Sequence, residues 1–434
     1  MKPRIFYGWW ILAALLPACI VHSGAPFYAF GIFYKPFALE FGWTRSEIAL
    51  AITIFLLTMG LTSPLIGKLT ERYSPKKIII SGAIVGGICF ILVSRVTTLW
   101  QLYLLYFIIG WSYSACGAIP VNTVVAKWFS HKRGLAVGIA VAGISLGGFI
   151  IAPASAYFMT AFDWRATYLF LAATSFLLVI PPVLFIVRNT PQEMGLLPYG
   201  DEIKTVSAAT PDPRINESPA DWGENWTLGG AMRTSTFWLI CIAVSMIYMG
   251  IGSVLQHQIN FLNDMGMSLT AAAVALGLTG AVGASGKVAF GFICDRFAAK
   301  YVAVCCFALQ ALGILLLLFA KSMTMIWVFV LVFGFSMGGQ YALQPLLTIY
   351  FFGLRSFATI YGLVYMSGAI GSAIGPLLAA FIYDMSGNYN YAFAICAAAA
   401  LLASFIILST RRVLSTEQAA PVAGGHPLHN REQF

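Results

Sequence analysis

The stretch GAVGASGKVAFGFICDR, residues 280–296, decides how this chain must fold. It has the apolar composition of a membrane-spanning helix, but Lys287 lies in its middle and Asp295 and Arg296 close it. At about 1.5 Å of rise per residue, Lys287 lies about 12 Å from Asp295, near the centre of a ~30 Å hydrocarbon layer if Asp295 marks its surface. An ammonium group at that depth costs about 2.5–3.5 kcal/mol on insertion scales. We therefore expect Lys287 to meet the negative charge of something that crosses the membrane.

The composition excludes a soluble globular protein. The chain has 434 residues, of which 59% are hydrophobic and 9% are charged, whereas soluble domains carry about 25% charged residues. The net charge of +9 does not indicate nucleic-acid binding, because the Lys and Arg residues lie in short runs between apolar segments. The eight cysteines lie within or at the ends of apolar segments without metal-ligand spacing, so the sequence predicts no metal and no cofactor.

Apolar segments of about twenty residues predict an all-α membrane protein with twelve transmembrane helices. The first apolar run is too long for the core of a signal peptide, so we expect it to remain as a helix. The predicted spans are 9–34, 47–67, 78–96, 100–128, 134–160, 166–187, 235–262, 270–293, 300–320, 324–351, 357–382 and 390–410.

One long polar connection, rich in Pro, Asp, Glu and Asn, divides the chain. The predicted units are an N-terminal six-helix half (1–187), a cytoplasmic linker (188–234), a C-terminal six-helix half (235–412) and a cytoplasmic tail (413–434). With the N-terminus inside, nineteen of the 25 Lys and Arg residues lie on the inner side and five on the outer side. The positive-inside bias thus predicts that both termini are cytoplasmic. The expected location is the inner (plasma) membrane of a bacterium.

An internal repeat indicates that the two halves are pseudo-symmetric. Gly67 and Glu71-Arg72 return as Gly291 and Asp295-Arg296 at an offset of 224 residues. Trp128-Phe129 returns as Tyr350-Phe351 at 222, and Pro153 as Pro376 at 223. Parallel repeats of six helices account for this constant offset, and generic similarity among apolar segments is the alternative.

The repeated charged turns can act as a gate. We expect the loop of residues 67–77 to let two helix ends approach at Gly67, while Glu71 and Arg72 pair with each other, with lipid headgroups or with a neighbouring helix end. Asp295 and Arg296 then do the same in the second half. The alternative is a solvated turn that only sets topology.

The spacing G-x-x-x-[DE]-R after the second helix of each half resembles the major facilitator superfamily of secondary transporters, over essentially residues 5–412. Tyr7-Gly8-Trp9-Trp10, Asn122, Trp128-Phe129 and residues 132–136 (KRGLA) further resemble the monocarboxylate transporter family and its bacterial oxalate/formate exchanger relatives.

That resemblance implies a role for Lys287, since these relatives carry a carboxylate-binding arginine eight residues before the aspartate of the charged turn. Lysine keeps the charge but loses the planar two-pronged donor geometry. The position that matches a second lysine of the oxalate exchanger is Gly368, and the position of an aspartate in mammalian relatives is Gly283. One cation in place of two favours a monoanion.

Other polar residues in the apolar helices are candidates for the substrate site. His22 can bind substrate or take a proton near neutral pH, or it can be a hydrogen-bonded structural residue; His257 lies at a pore mouth or an interface. The hydroxyl and amide candidates can contact substrate or pack against neighbouring helices. They are Tyr28, Tyr113, Asn122, Tyr341, Tyr365 and Ser367.

The sequence therefore predicts a monomeric secondary active transporter, not an enzyme, which moves a small monocarboxylate resembling lactate or pyruvate by alternating access. Proton symport and anion exchange both remain open, so protons are a candidate second partner besides the carboxylate and the bilayer. The alternative function is export of a larger organic compound or drug, although Lys287 argues against a cationic cargo. The predicted helices contain no cluster of nucleophile, base or metal ligands, which argues against a membrane enzyme. The linker and tail are too short for a sensing domain, which argues against a membrane sensor.

Overall fold

The computed structural model describes residues 6–201, 226–320 and 322–411, so the tail and residues 202–225 of the linker lie outside the described residues. Twelve helices in the described part are long and apolar enough to cross a membrane, as predicted. They are α1 (Tyr7–Phe41), α2 (Arg45–Arg72), α3 (Pro75–Val93), α4 (Leu99–Trp128), α5 (Arg133–Ala161), α6 (Trp164–Phe185), α7 (Ser235–Asp264), α8 (Leu269–Cys294), α9 (Ala299–Leu318), α10 (Met323–Phe352), α11 (Phe357–Ser386) and α12 (Asn390–Ser409).

Three of these helices are irregular inside the membrane. In α1 a π-helical turn over Gly24–Tyr28 and a 3₁₀ turn over Phe30–Phe33 interrupt the α-helix. A π turn over Ser175–Val179 precedes the two prolines of α6, and Gly117 breaks α4 with an extended backbone. Proline removes a backbone donor, so the prolines in α1 and α6 favour such local rearrangements.

The charged turn after α2 is shorter than the sequence predicts. The loop expected over residues 67–77 is helical as far as Arg72, so that part of the prediction is wrong. Only Tyr73 and Ser74 separate α2 from α3, because Ser74 caps the N-terminus of α3 by accepting a hydrogen bond from Lys77 and Pro75 occupies the first turn. Glu71 is therefore held on a rigid helix end, where its direction is defined.

The two halves pack together along two helix pairs, α2 with α11 and α5 with α8. We call the membrane side that carries the start of α1, the α2–α3 turn and the α4–α5 turn the terminal side. There the backbones touch: a Cβ atom on Gly67 would overlap the Ala358 carbonyl, and one on Gly134 would overlap that of Gly291. Side-chain-free positions let the helix pairs approach closely, as small residues do in other membrane helix contacts.

On the opposite side, α5 and α8 pack less closely against each other. Phe149 shares the α5 face of Gly138 and Ser145, since 100° per residue brings positions seven and eleven apart back together, and it is 76% exposed. Gly280 shares the α8 face of Lys287, and a Cβ atom there would meet nothing within 4 Å. The α5–α8 pair is thus in backbone contact on the terminal side, whereas Phe149 and Gly280 on the other side make no such close contact.

Candidate functional site

Lys287 lies at the interface between the halves and not toward lipid. Its side chain is 2% exposed. Its amine donates a hydrogen bond of 2.7 Å to the Ser145 hydroxyl of α5 and lies 4.8 Å from the ring centre of Tyr341 on α10. A hydroxyl oxygen and the face of an aromatic ring both favour a cation, but neither carries a neutralising charge. This amine is therefore able to attract an anion.

The surroundings of Lys287 come from both halves. Cys19 of α1 is within electrostatic range of Lys287 and of the hydroxyls of Tyr361 and Tyr365 on α11. Tyr365 lies beside Tyr113 of α4, and Tyr361 lies beside Asn122, which is fully buried. Tyr341 therefore lies beside Lys287, and Tyr113, Asn122 and Tyr365 lie together in the neighbourhood of Cys19.

His22 faces away from this region. A Cβ atom on Gly86 of α3 would lie 3.4 Å from its Nε2 and 2.5 Å from the Ser112 hydroxyl of α4. The imidazole thus lies inside the N-terminal half, 3% exposed, beside the backbone of Ala18 in its own helix. Contact between His22 and a central substrate is not part of this conformation.

Of the remaining candidates, Ser367 and His257 make hydrogen bonds within the protein, and Tyr28 has no described side chain. The Ser367 hydroxyl donates to the Val364 carbonyl of its own helix. The two ring nitrogens of His257 lie 3.2 Å from the Tyr389 hydroxyl and 3.1 Å from the Pro376 carbonyl, so His257 joins α7 to the outer part of α11. The side chain of Tyr28 lies outside the described residues.

Two carboxylates close the terminal side in equivalent ways. Asp295, at the end of α8, accepts hydrogen bonds from the backbone amides of Gly134 (2.6 Å) and Leu135 (2.9 Å) at the start of α5. Glu71, at the end of α2, accepts from the Thr359 amide (2.9 Å) and hydroxyl (2.7 Å) at the start of α11. A helix N-terminus offers unpaired amides and a partial positive charge, so a carboxylate stabilises it.

Burial disfavours the ionised form of Asp295. Burial raises its pKa above the usual range, while the two amides and the nearby His131 and Arg133 act in the opposite direction. Arg72 and Arg296, the other halves of the charged pairs, are exposed and lie over the rings of Tyr73 and Phe292. Of the three partners expected for these turns, the neighbouring helix end is the one that Glu71 and Asp295 contact.

The sequence analysis missed Ser145, Cys19, Tyr361 and Thr359. Ser145 lies inside a glycine-rich run, Gly143 to Gly148, that signals close helix packing and conceals one useful hydroxyl. Its role depends on which residue of α8 lies opposite, and no local pattern encodes that. Among the described residues, no cluster of three His, Cys, Asp or Glu side chains could hold a metal ion.

Comparison with known proteins agrees with this architecture. The family model of the Major Facilitator Superfamily matches residues 5–367 and 261–430. The chain belongs to the major facilitator superfamily. Curated relatives of this transporter include Monocarboxylate transporter 12 of Mus musculus, 26% identical over 97% of this chain and 89% of the relative. Monocarboxylate transporter 13 of Bos taurus is 24% identical over 93% of this chain and 89% of the relative.

Solved structures with the same fold include the proton:xylose symporter XylE, at a TM-score of 0.71 and 14% identity over 93% of this chain and 95% of that one. The human organic anion transporter MFSD10 has a TM-score of 0.67 and 16% identity, and the match covers 94% of this chain and 100% of that one. At such identities these structures show the fold alone. The transporter is thus a multi-pass membrane protein with monocarboxylate transporters among its relatives, and its superfamily consists of transporters and not of enzymes.

Proposed function

We propose that this transporter carries a small monocarboxylate, of the size of lactate or pyruvate, and binds it at the Lys287 amine. The observation that carries the proposal is that amine itself, buried between the halves with a hydroxyl and a tyrosine ring as its neighbours. A carboxylate would supply the missing negative charge, and Tyr113, Tyr365 and Asn122 offer polar groups for the rest of a small acid. The names of the curated relatives support the same substrate class.

Alternating access follows from the same charge. An unpaired ammonium group is costly in a closed, dry site, so a bound carboxylate lowers the cost of passing through such a state. The gate contacts of Glu71 and Asp295 would break when the terminal side opens. We place the terminal side in the cytoplasm, because the topology predicted from the sequence assigns nineteen of the 25 Lys and Arg residues to that side, and the conformation described is then outward-facing. The plasma membrane and a monomeric state complete the proposal.

Uptake into proteoliposomes tests this function. Radiolabelled lactate and pyruvate are offered with and without an imposed proton gradient, and with and without unlabelled acid inside. Uptake that needs the gradient indicates proton symport, and uptake that needs internal acid indicates anion exchange. If a panel of small carboxylates is neither taken up nor able to compete, the proposal is wrong and export of a larger compound becomes the better interpretation.

A further inference from the structure

The hydrogen bond between Ser145 and Lys287 joins the two halves at the centre of the molecule. Ser145 belongs to α5 and Lys287 to α8, and the hydroxyl oxygen lies 2.7 Å from the amine. An ammonium group has three N–H donors. Ser145 accepts from one of them and the Tyr341 ring lies close to the amine on another side, at 4.8 Å. The hydroxyl is therefore a neutral acceptor that partly satisfies the cation.

Ser145 also lies at the point where the helix pair separates. Toward the terminal side, Gly138 packs directly against the Lys287 backbone, so a Cβ atom there would lie 2.5 Å from its carbonyl oxygen. One turn beyond Ser145 in the other direction, Phe149 is 76% exposed on the same face. A solute that approached between α5 and α8 from the side of Phe149 would meet the hydroxyl and the amine together, because the two groups are hydrogen-bonded to each other.

We propose that Ser145 is a positioning residue that takes the place of the substrate carboxylate in the empty transporter. Its hydroxyl accepts a hydrogen bond from the amine and so keeps the amine directed at the interface. The incoming carboxylate then displaces the hydroxyl from the amine. This rests on the proposed function, and adds a claim about coupling: the hydroxyl sets how easily the empty site crosses the closed state. Net transport depends on that return step, whereas exchange of one acid for another does not.

Paired flux measurements in proteoliposomes test the role. Net efflux of radiolabelled lactate into acid-free buffer is compared with its exchange against external lactate for Ser145→Ala, Ser145→Thr and the control Ser155→Ala. Ser155 is a buried serine of the same helix with no hydrogen-bond partner for its hydroxyl among the described residues. Losing a hydrogen bond to a charged group should slow the return of the empty site, and we expect Ser145→Ala to raise the ratio of exchange to net efflux about tenfold. Threonine keeps the hydroxyl and should restore the ratio.

A second variant tests the displacement directly. Ser145→Asp places a permanent carboxylate beside the amine, so it should abolish lactate uptake while the purified protein unfolds at the wild-type temperature or above it. Lactate uptake by Ser145→Asp with wild-type half-saturation overturns the inference, as does a Ser145→Ala variant in which both fluxes fall in proportion. Absence of any carboxylate flux in the wild type overturns the proposed function together with this inference, whereas wild-type flux with an unchanged Ser145→Ala ratio overturns the inference alone.

Discussion

At the scale of single residues, Lys287 is the group on which the proposed transport depends. A lysine that only reached toward the membrane surface would extend its amine toward water or headgroups. Here the amine is buried against α5 and α10, with an oxygen acceptor and an aromatic face as its contacts. Among the described residues no carboxylate contacts this amine, which is expected of a site whose negative charge arrives with the substrate.

Replacing Lys287 by glutamine should reduce lactate uptake at least about 100-fold, because losing a charge-assisted hydrogen bond to a buried carboxylate costs roughly 3 kcal/mol. Lys287→Arg should keep part of the uptake, since it keeps the charge in a larger group. Initial uptake rates in proteoliposomes measure both variants.

Lys35→Gln is the matched control for these variants, because it removes an exposed lysine and should leave uptake unchanged. Wild-type uptake by Lys287→Gln would show that the amine has no part in carboxylate binding.

At the scale of helices, the proposed terminal gate consists of two carboxylate caps and a set of glycine contacts. Each cap reaches from the end of one helix to the start of a helix in the other half, Glu71 to α11 and Asp295 to α5. The linker adds a further restraint at this end. The Ser130 and His131 amides donate to the Tyr199 carbonyl, and the Tyr199 amide donates to that of Trp128, so the start of α5 is held by the first part of the linker.

Asp295→Ala should loosen the α5 N-terminus, because the Gly134 and Leu135 amides lose their acceptor at a cost of about 1–3 kcal/mol to the closed state. Hydrogen–deuterium exchange of residues 133–138 should rise, and Glu71→Ala should have the same effect on residues 357–362. Arg296→Ala removes an exposed side chain that stacks on Phe292 and is the control. Unchanged protection in both carboxylate variants would mean that the caps do not hold the gate.

Gly291→Ala should disfavour the state that is closed on the terminal side. A Cβ atom there would lie 2.3 Å from the Gly134 carbonyl oxygen, a backbone atom that cannot move aside alone. Gly277→Ala, in the same helix and with nothing within 4 Å of the added atom, is the control. Helix propensity alone favours alanine by about 1 kcal/mol in both.

An impermeant thiol reagent can report the opening in these two variants through a cysteine introduced at Leu135, with the exposed Cys305 replaced by serine. Faster labelling is expected for Gly291→Ala and wild-type labelling for Gly277→Ala. Equal labelling of the two variants would contradict the close-packing argument.

At the scale of the whole molecule, the balance between its two access states should depend on pH through Asp295. Burial raises the pKa of this carboxyl in the closed gate, whereas an Asp in water has a pKa of about 3.9. The closed form therefore binds the proton more tightly, so the population that is closed on the terminal side should increase as the pH falls through the raised pKa and decrease again as the pH rises. The window begins at about pH 4 and extends upward.

Distances between spin labels at positions 132 and 297, on the exposed side chains Lys132 and Phe297 at the facing ends of α5 and α8, can measure this population. Shorter distances should gain weight as the pH is lowered across that window. Asp295→Asn removes the titrating group and should make the distribution independent of pH there. A wild-type distribution that shifts toward longer distances in acid would contradict a raised pKa for Asp295 in the closed gate.

The amino-acid sequence alone was enough to predict the twelve helices, because the length of an apolar run is a property that a short stretch carries. It also singled out Lys287 and the repeated charged turns, because a charge inside an apolar run and a recurring motif are visible without a fold. It also indicated that Glu71 and Asp295 belong to gates. The folded arrangement was needed to show that Ser145 meets Lys287 across 142 positions of chain, that His22 faces α3, and that the gate partners are helix N-termini. Those pairings depend on the rotation and separation of helices from opposite halves, which arise from packing that no local pattern encodes.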